Sequence, residues 1–148
     1  LLNFLASQGR ENELLQICAI YLPFEPGNPV LLTQYAYLAC LNGLADPKLV
    51  LKAIKPLADA FPDAMPIQCV LATAYLTDGQ PAAAAETLDR LKLEPDKLSP
   101  GYRAAFFATQ VLNRRMDKDD PKITAFPWKS LLPSERRKFG ELIRSVKS

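Results

Sequence analysis

Residues 68–95 read QCVLATAYLTDGQPAAAAETLDRLKLEP, and this stretch decides the fold. Leu71, Ala72 and Tyr75 fall at i, i+1 and i+4, on one face of a helix. Ala72 is small enough for a partner helix to approach closely. Gly79 lets the backbone turn at low steric cost. Ala84 and Leu88 stand one turn apart and return a second helix onto the first. Pro95 is expected to stop that second helix. The stretch therefore reads as a helix–turn–helix hairpin.

The same punctuation recurs on both sides. Gly9, Gly43 and Gly79 are spaced 34 and 36 residues apart, and Pro26, Pro62 and Pro95 follow at 36 and 33. A period near 34 marks a stacked repeat, in which each unit needs a neighbour to bury its apolar face. The preceding copy runs Leu32, Tyr35, Ala36, Ala39, Gly43, Val50, Ile54 and Pro62, with two extra residues after the turn glycine. The first copy runs Leu1, Leu2, Leu5, Gly9, Leu14, Cys18 and Pro26. A fourth begins with Ala104, Ala105 and Ala108 and then loses the pattern.

Together these copies resemble the tetratricopeptide repeat (TPR), whose signature is Trp-x-x-Leu-Gly-x-x-Tyr, then Ala-x-x-x-Phe, then Pro. Gln68 stands where the tryptophan would be, and Ala72 replaces the first glycine. The resemblance covers residues 1–112. It implies an all-α fold, a right-handed α-solenoid of antiparallel helix pairs. Residues 1–116 would form the repeats, the first one truncated, and 117–148 a loop and capping helix of the same domain.

Start signals agree with that reading. Asn28-Pro29, Asp46-Pro47 and Ser99-Pro100 each pair a capping side chain with a proline suited to the first helical position. Helices are predicted near 29–42, 47–60, 65–77, 81–92 and 100–115. Leu14, Ile17, Cys18 and Tyr21 make an apolar stripe for another near 11–22. Pro56 lies inside a helical stretch and is expected to kink or split it. Strand signals are absent.

At 148 residues and 49% hydrophobic, the chain is long enough for one compact domain. No apolar run approaches the roughly 20 residues that span a membrane. The first residues correspond to the middle of a repeat's first helix, so the chain is read as part of a longer protein, and its lack of a targeting segment says little about location. Cys18, Cys40 and Cys69 all fall in predicted helices without CxxC spacing. They read as small buried hydrophobes, and the lack of a disulfide framework points towards a reducing compartment such as the cytoplasm. Charge is uneven: residues 1–80 hold 4 basic and 7 acidic side chains, residues 81–148 hold 14 and 9. Arg136, Arg137, Lys138, Arg144 and Lys147 carry much of the basic excess and read as the solvated face of a terminal helix.

The chain has no histidine, which removes Ser-His-Asp triads, Cys-His pairs and imidazole metal sites. Asp117, Asp119 and Asp120 begin like a calcium loop, but the sharp-turn glycine is missing and Trp128 occupies the place of the closing glutamate. They read as a polar loop in which Asp120 caps what starts at Pro121. No phosphate-binding glycine loop is present. No catalytic residue, metal site or cofactor is expected, and the chain is read as a non-enzyme.

The resemblance implies that first helices line a concave groove. Carried onto this chain, the groove residues are Thr33, Gln34 and Tyr37, then Cys69, Val70, Thr73 and Thr77, then Tyr102, Arg103, Phe106 and Gln110. Asn3 and Ser7 extend the row. The set is neutral, with aromatic anchors and hydroxyl or amide groups, which suits an extended or helical peptide. Arg103 is its one cation, too few for a clamp on an acidic C-terminus. Tyr37, Tyr102 and Phe106 have a second reading as packing between repeats.

Beyond Met116 the pattern changes. Ile123, Phe126, Trp128, Leu131 and Leu132 crowd apolar groups into ten positions. Phe139, Leu142, Ile143 and Val146 then make the stripe of a helix near 133–146. This tail is expected to close the end of the solenoid or to fold back into its groove. The function expected is a non-catalytic scaffold that binds a protein or peptide of unknown identity. An RNA-binding helical repeat is the second reading, and a soluble positioning module of a larger enzyme or membrane-tethered assembly the third. Gln34, Val70 and Arg103, at equivalent positions, make no base-reading code.

Overall fold

Prolines open most of the helices among the described residues. The computed structural model describes residues 10–147, all of whose regular structure is helical. The helices are α1 (Glu11–Tyr21), α2 (Pro29–Asn42), α3 (Pro47–Ala60), α4 (Met65–Thr77), α5 (Pro81–Asp89), α6 (Pro100–Leu112), α7 (Pro121–Thr124) and α8 (Pro133–Arg144). Short 3-10 turns stand at Pro95–Lys97 and Trp128–Ser130. The first-copy residues Leu1, Leu2, Leu5 and Gly9 lie outside the described residues.

Capping follows the sequence at three ends. Asn28 Oδ1 accepts from the Val30 and Leu31 N–H groups at 3.0 and 3.3 Å. Asp46 Oδ1 accepts from Lys48 N at 2.9 Å, and Asp120 Oδ1 from Lys122 N at 2.8 Å. Ser99 departs from expectation and makes no side-chain cap bond.

The turns after α2, α4 and α6 share one geometry. Gly43, Gly79 and Arg114 all take left-handed backbone, with φ of 65°, 72° and 56°. The next N–H in each case reaches back five residues: Leu44 to Ala39, Gln80 to Tyr75, and Arg115 to Gln110, each at 2.9 Å. This bond closes the last turn of a helix and requires φ > 0 at the turning residue. The third turn was not predicted, because arginine stands where glycine would signal it. It also ends α6 at Leu112, short of 115.

Of two further expectations, one is narrowed and one is corrected. Helix α3 is not split at Pro56 but continues to Ala60. Pro56 and Lys52 are both exposed, so water can reach the backbone carbonyl that loses its partner. Pro95 does not stop α5, which ends at Asp89; it opens the 3-10 turn instead.

Each of α1 to α5 packs on the next, and α2 on α4 and α4 on α6. Helix α4 sits at the centre and is covered on nearly all sides, from Ile67 to Leu76. Ala36, Ala72 and Ala105 are buried where these helices meet. Gln68 is buried too; its Nε2 donates to the Ala58 and Phe61 carbonyls at 2.9 and 3.1 Å and so ties down the end of α3. At its other end α3 meets the end of α4 through Lys48 Nζ and Asp78, 3.0 Å apart, so these two helices run antiparallel. Among α1's stripe residues, Leu14 and Cys18 are buried and Tyr21 is exposed. Cys18, Cys40 and Cys69 are free thiols in the interior.

Helix α8 folds back onto α6 and α2. Phe139 is wholly enclosed and Ile143 buried, while Arg136, Arg137, Arg144 and Lys147 face water. The segment ahead of α8 is held by edge-on rings, Phe126 against Phe107 at 5.6 Å and Trp128 against Phe126 at 5.3 Å. Trp128 is only half-buried; its indole N–H donates to the Ile123 carbonyl at 3.0 Å.

Candidate functional site

The first turns of α2, α4, α6 and α8 surround one cleft of about 790 Å³. Pro29, Val30, Thr33, Gln34 and Tyr37 come from α2, Pro66 and Ile67 from α4, Gly101 and Tyr102 from α6, and Glu135 from α8. Leu132, Ser99, Ala64 and Phe61 complete the rim from the loops that lead into or out of these helices. Proline stands first in α2, α6 and α8 and second in α4, where it fixes φ and lacks the N–H that would otherwise need an acceptor.

Glu135 anchors the back of the cleft. Its Oε1 accepts from the Leu132 N–H at 2.8 Å, which caps α8 from within. Its Oε2 accepts from the Tyr37 hydroxyl on α2. The same carboxylate lies against Gly101 in the first turn of α6, where any Cβ would collide with it. A buried anion thus stands at the N-terminal end of α6, where the helix dipole favours it, and the Ser99 hydroxyl makes no bond to that turn. One residue along, the Ser134 hydroxyl donates to the Glu11 carboxylate on α1. The start of α8 is therefore bonded to α1 and α2 and packed on α6.

Burial governs the titration of these groups. It raises the Glu135 carboxyl above its ordinary range; the Tyr37 hydroxyl and Leu132 N–H oppose the shift, and Glu11 adds to it. Tyr37 is pushed well above the phenol range by burial and then by Glu135. Tyr102 rises for the same first reason, and the Cys69 thiol is pushed up to about 12 by burial. Burial thus holds the Tyr37 and Tyr102 hydroxyls and the Cys69 thiol in their protonated forms near neutral pH.

The eleven groove residues within the described part of the chain separate into three sets. Thr33, Gln34, Tyr37 and Tyr102 come together in the cleft. The rings of Tyr37 and Tyr102 meet edge-on at 5.6 Å. Arg103 and Phe106 line a second hollow of about 360 Å³ with Met116, Lys122 and Phe126. Cys69, Val70, Thr73, Thr77 and Gln110 line neither. Thr33, Tyr37, Cys69, Val70 and Thr73 are buried, and Gln34, Thr77, Tyr102, Arg103, Phe106 and Gln110 are half-buried. Asn3 and Ser7 lie outside the described residues.

Arg103 is committed to the fold. Its guanidinium donates to the carbonyls of Pro95, Asp96 and Leu98 at 3.0–3.1 Å and stands 5.8 Å from the Phe126 ring centre. It shapes the loop ahead of α6 and meets the tail.

Sequence reading missed Glu135 and Gly101. A carboxylate three residues after Leu132 has the spacing of a capping box, but leucine at the first position hides it. Among the described residues, no group of three or more carboxylate or thiol side chains is placed to hold a metal ion. No helix among them is long and apolar enough to cross a membrane. Compared with known proteins, the chain matches no family model, no curated protein and no solved structure.

Proposed function

We propose that the chain is a non-catalytic protein-interaction module, built as a TPR-like right-handed solenoid of antiparallel helix pairs with α8 as its cap. Three turns of one geometry, after α2, α4 and α6, support the repeat register. So does the packing of α2 on α4 and α4 on α6. One observation carries the functional reading: α8 is seated on α2 and α6 with Phe139 fully enclosed. That is how an amphipathic helix docks into a groove. The helix row is a helix-binding surface, and α8 is its resident ligand.

A protein or peptide partner then meets the rim. Val30 and Phe61 stand at the cleft mouth, and Phe24 lies in the loop that leads into α2; all three are exposed. Large apolar side chains left open beside a concavity suit a protein contact. The reading is tested by placing a photo-crosslinking amino acid at Phe24, and at the exposed Leu49 of α3 as a control, in the intact protein in its cell of origin. One partner is expected to be captured from position 24 and not from position 49. The same adducts from both positions, or none from position 24, would overturn it.

A further inference from the structure

The cleft at the helix starts has properties that partner binding at the rim does not require. Its volume of about 790 Å³ falls in the range of sites that enclose a small molecule. Its walls are chiefly Val30, Phe61, Pro66, Ile67, Pro100 and Leu132.

Thr33 forms part of the wall, and its hydroxyl is the one buried side-chain polar atom among the described residues without a hydrogen-bond partner. The other buried threonines behave differently. Thr73, Thr87 and Thr109 each donate to the carbonyl four residues back, at 2.8 Å. Thr33 could do the same with Pro29 and does not. An unpaired buried hydroxyl is costly to keep, and it asks for an acceptor.

Charge decides what kind of acceptor. The starts of α4 and α6 open on the cleft without side-chain caps, since neither Ala64 nor Ser99 supplies one. Their free N–H groups carry partial positive charge. The Glu135 carboxylate stands among them with the opposite sign, and no lysine or arginine lines the cleft. An anionic ligand meets Glu135, and a cationic one meets the helix ends. The site fits neither.

We propose that this cleft binds an uncharged, largely apolar molecule that carries one hydrogen-bond acceptor, such as an alcohol or carbonyl compound, whose entry turns the enclosed Thr33 hydroxyl onto that acceptor. The proposal is independent of the partner reading, because its site is the interior of the cleft and not the rim.

Three ten-carbon probes test it on the full chain by isothermal calorimetry: 1-decanol, decanoate and decylammonium, each below its aggregation threshold. Decanol is expected to saturate one site per chain and to bind at least tenfold more tightly than either ion. Thr33→Val keeps the shape and removes the hydroxyl. It should weaken decanol about tenfold while leaving the thermal midpoint unchanged or higher. Val30→Trp should block the mouth and abolish binding, and the exposure of Val30 makes that variant tolerable to the fold. Absence of saturable decanol binding would overturn the proposal. So would tighter binding of either ion, or decanol affinity that neither variant changes.

Discussion

The Glu135 carboxylate lies so close to Gly101 that a Cβ at position 101 would collide with Oε2 and stand 2.9 Å from the Tyr37 hydroxyl oxygen. One missing methyl group is what lets α8, α6 and α2 meet at a single point. The buried anion then finds a hydroxyl, a backbone N–H and a helix start within reach, which is what a buried carboxylate needs.

Gly101→Ala should therefore destabilise the protein. Helix propensity alone favours alanine by up to about 1 kcal/mol. The collision should outweigh that, for a net loss of roughly 1–3 kcal/mol, because the carboxylate cannot retreat without giving up Tyr37. Urea melts of Gly101→Ala, Glu135→Ala and the double variant measure this. The two losses should add to less than their sum. A more stable Gly101→Ala protein would mean that the contact is slack.

The titration of Glu135 gives a signed pH effect. Its carboxyl is raised above the ordinary 4.5, first by burial, so the folded state holds the proton to higher pH than the unfolded chain does. In that window the folded state binds more protons, and stability falls as pH rises. The contribution is fully present below about 4.5 and gone once pH passes the folded value. Glu135→Gln keeps an acceptor for the Leu132 N–H, offers Tyr37 an amide donor in place of the carboxylate acceptor, and cannot titrate. Urea midpoints between pH 4 and 7 should slope downward more steeply in the parent than in the variant; parallel profiles would remove Glu135 as the cause.

How much of this was legible follows from what each residue reports locally. Asn28, Asp46 and Asp120 announce their helices because a short polar side chain before proline has little else to do. Gly43 and Gly79 announce their turns because only glycine takes positive φ without strain. Arg114 takes the same backbone without any such mark, so the third turn was silent. The cleft was less legible still. Thr33, Gln34, Tyr37 and Tyr102 were named, but for a continuous groove. Their grouping depends on where α8 lands, and that is settled by Glu135 and Gly101, 34 residues apart in the chain. No periodicity encodes such a pairing. Arg103 shows the limit from the other side: a cation on a helix face reads as a ligand contact, and it is spent on three carbonyls of its own chain.

Arg114 itself is a place where the protein can be improved. A side chain in left-handed backbone costs roughly 1–2 kcal/mol. Arg114 is exposed, and only its backbone N–H bonds back, to Val111 at 3.0 Å. Arg114→Gly should retain the turn and remove the strain, for a gain of about 1 kcal/mol and a rise of about 2–4 °C in the thermal midpoint. A fall in Tm on this substitution would mean that the side chain contributes more than its geometry suggests.

The last expectation separates a cap from a loosely held occupant. Phe139 is fully enclosed between α8 and the helices beneath it, whereas Arg137 on the outer side reaches only Asn42, at 3.2 Å. Phe139→Ala should cost about 3–5 kcal/mol, the usual loss for a buried aromatic ring. Arg137→Ala should change stability by no more than about 0.5 kcal/mol. The form of the transition matters as much as its midpoint. Trp128 is the only tryptophan and sits in the segment that leads into α8, so its fluorescence reports the tail. Far-UV circular dichroism reports every helix. Because α8 is bonded to Glu11 and Tyr37 and packed on α6, losing it removes support from three helices at once. The two signals should therefore melt together in both the parent and Phe139→Ala. If fluorescence changed at lower urea than circular dichroism, α8 would detach while the other helices held, and the tail would be an exchangeable occupant of the helix row rather than part of its structure.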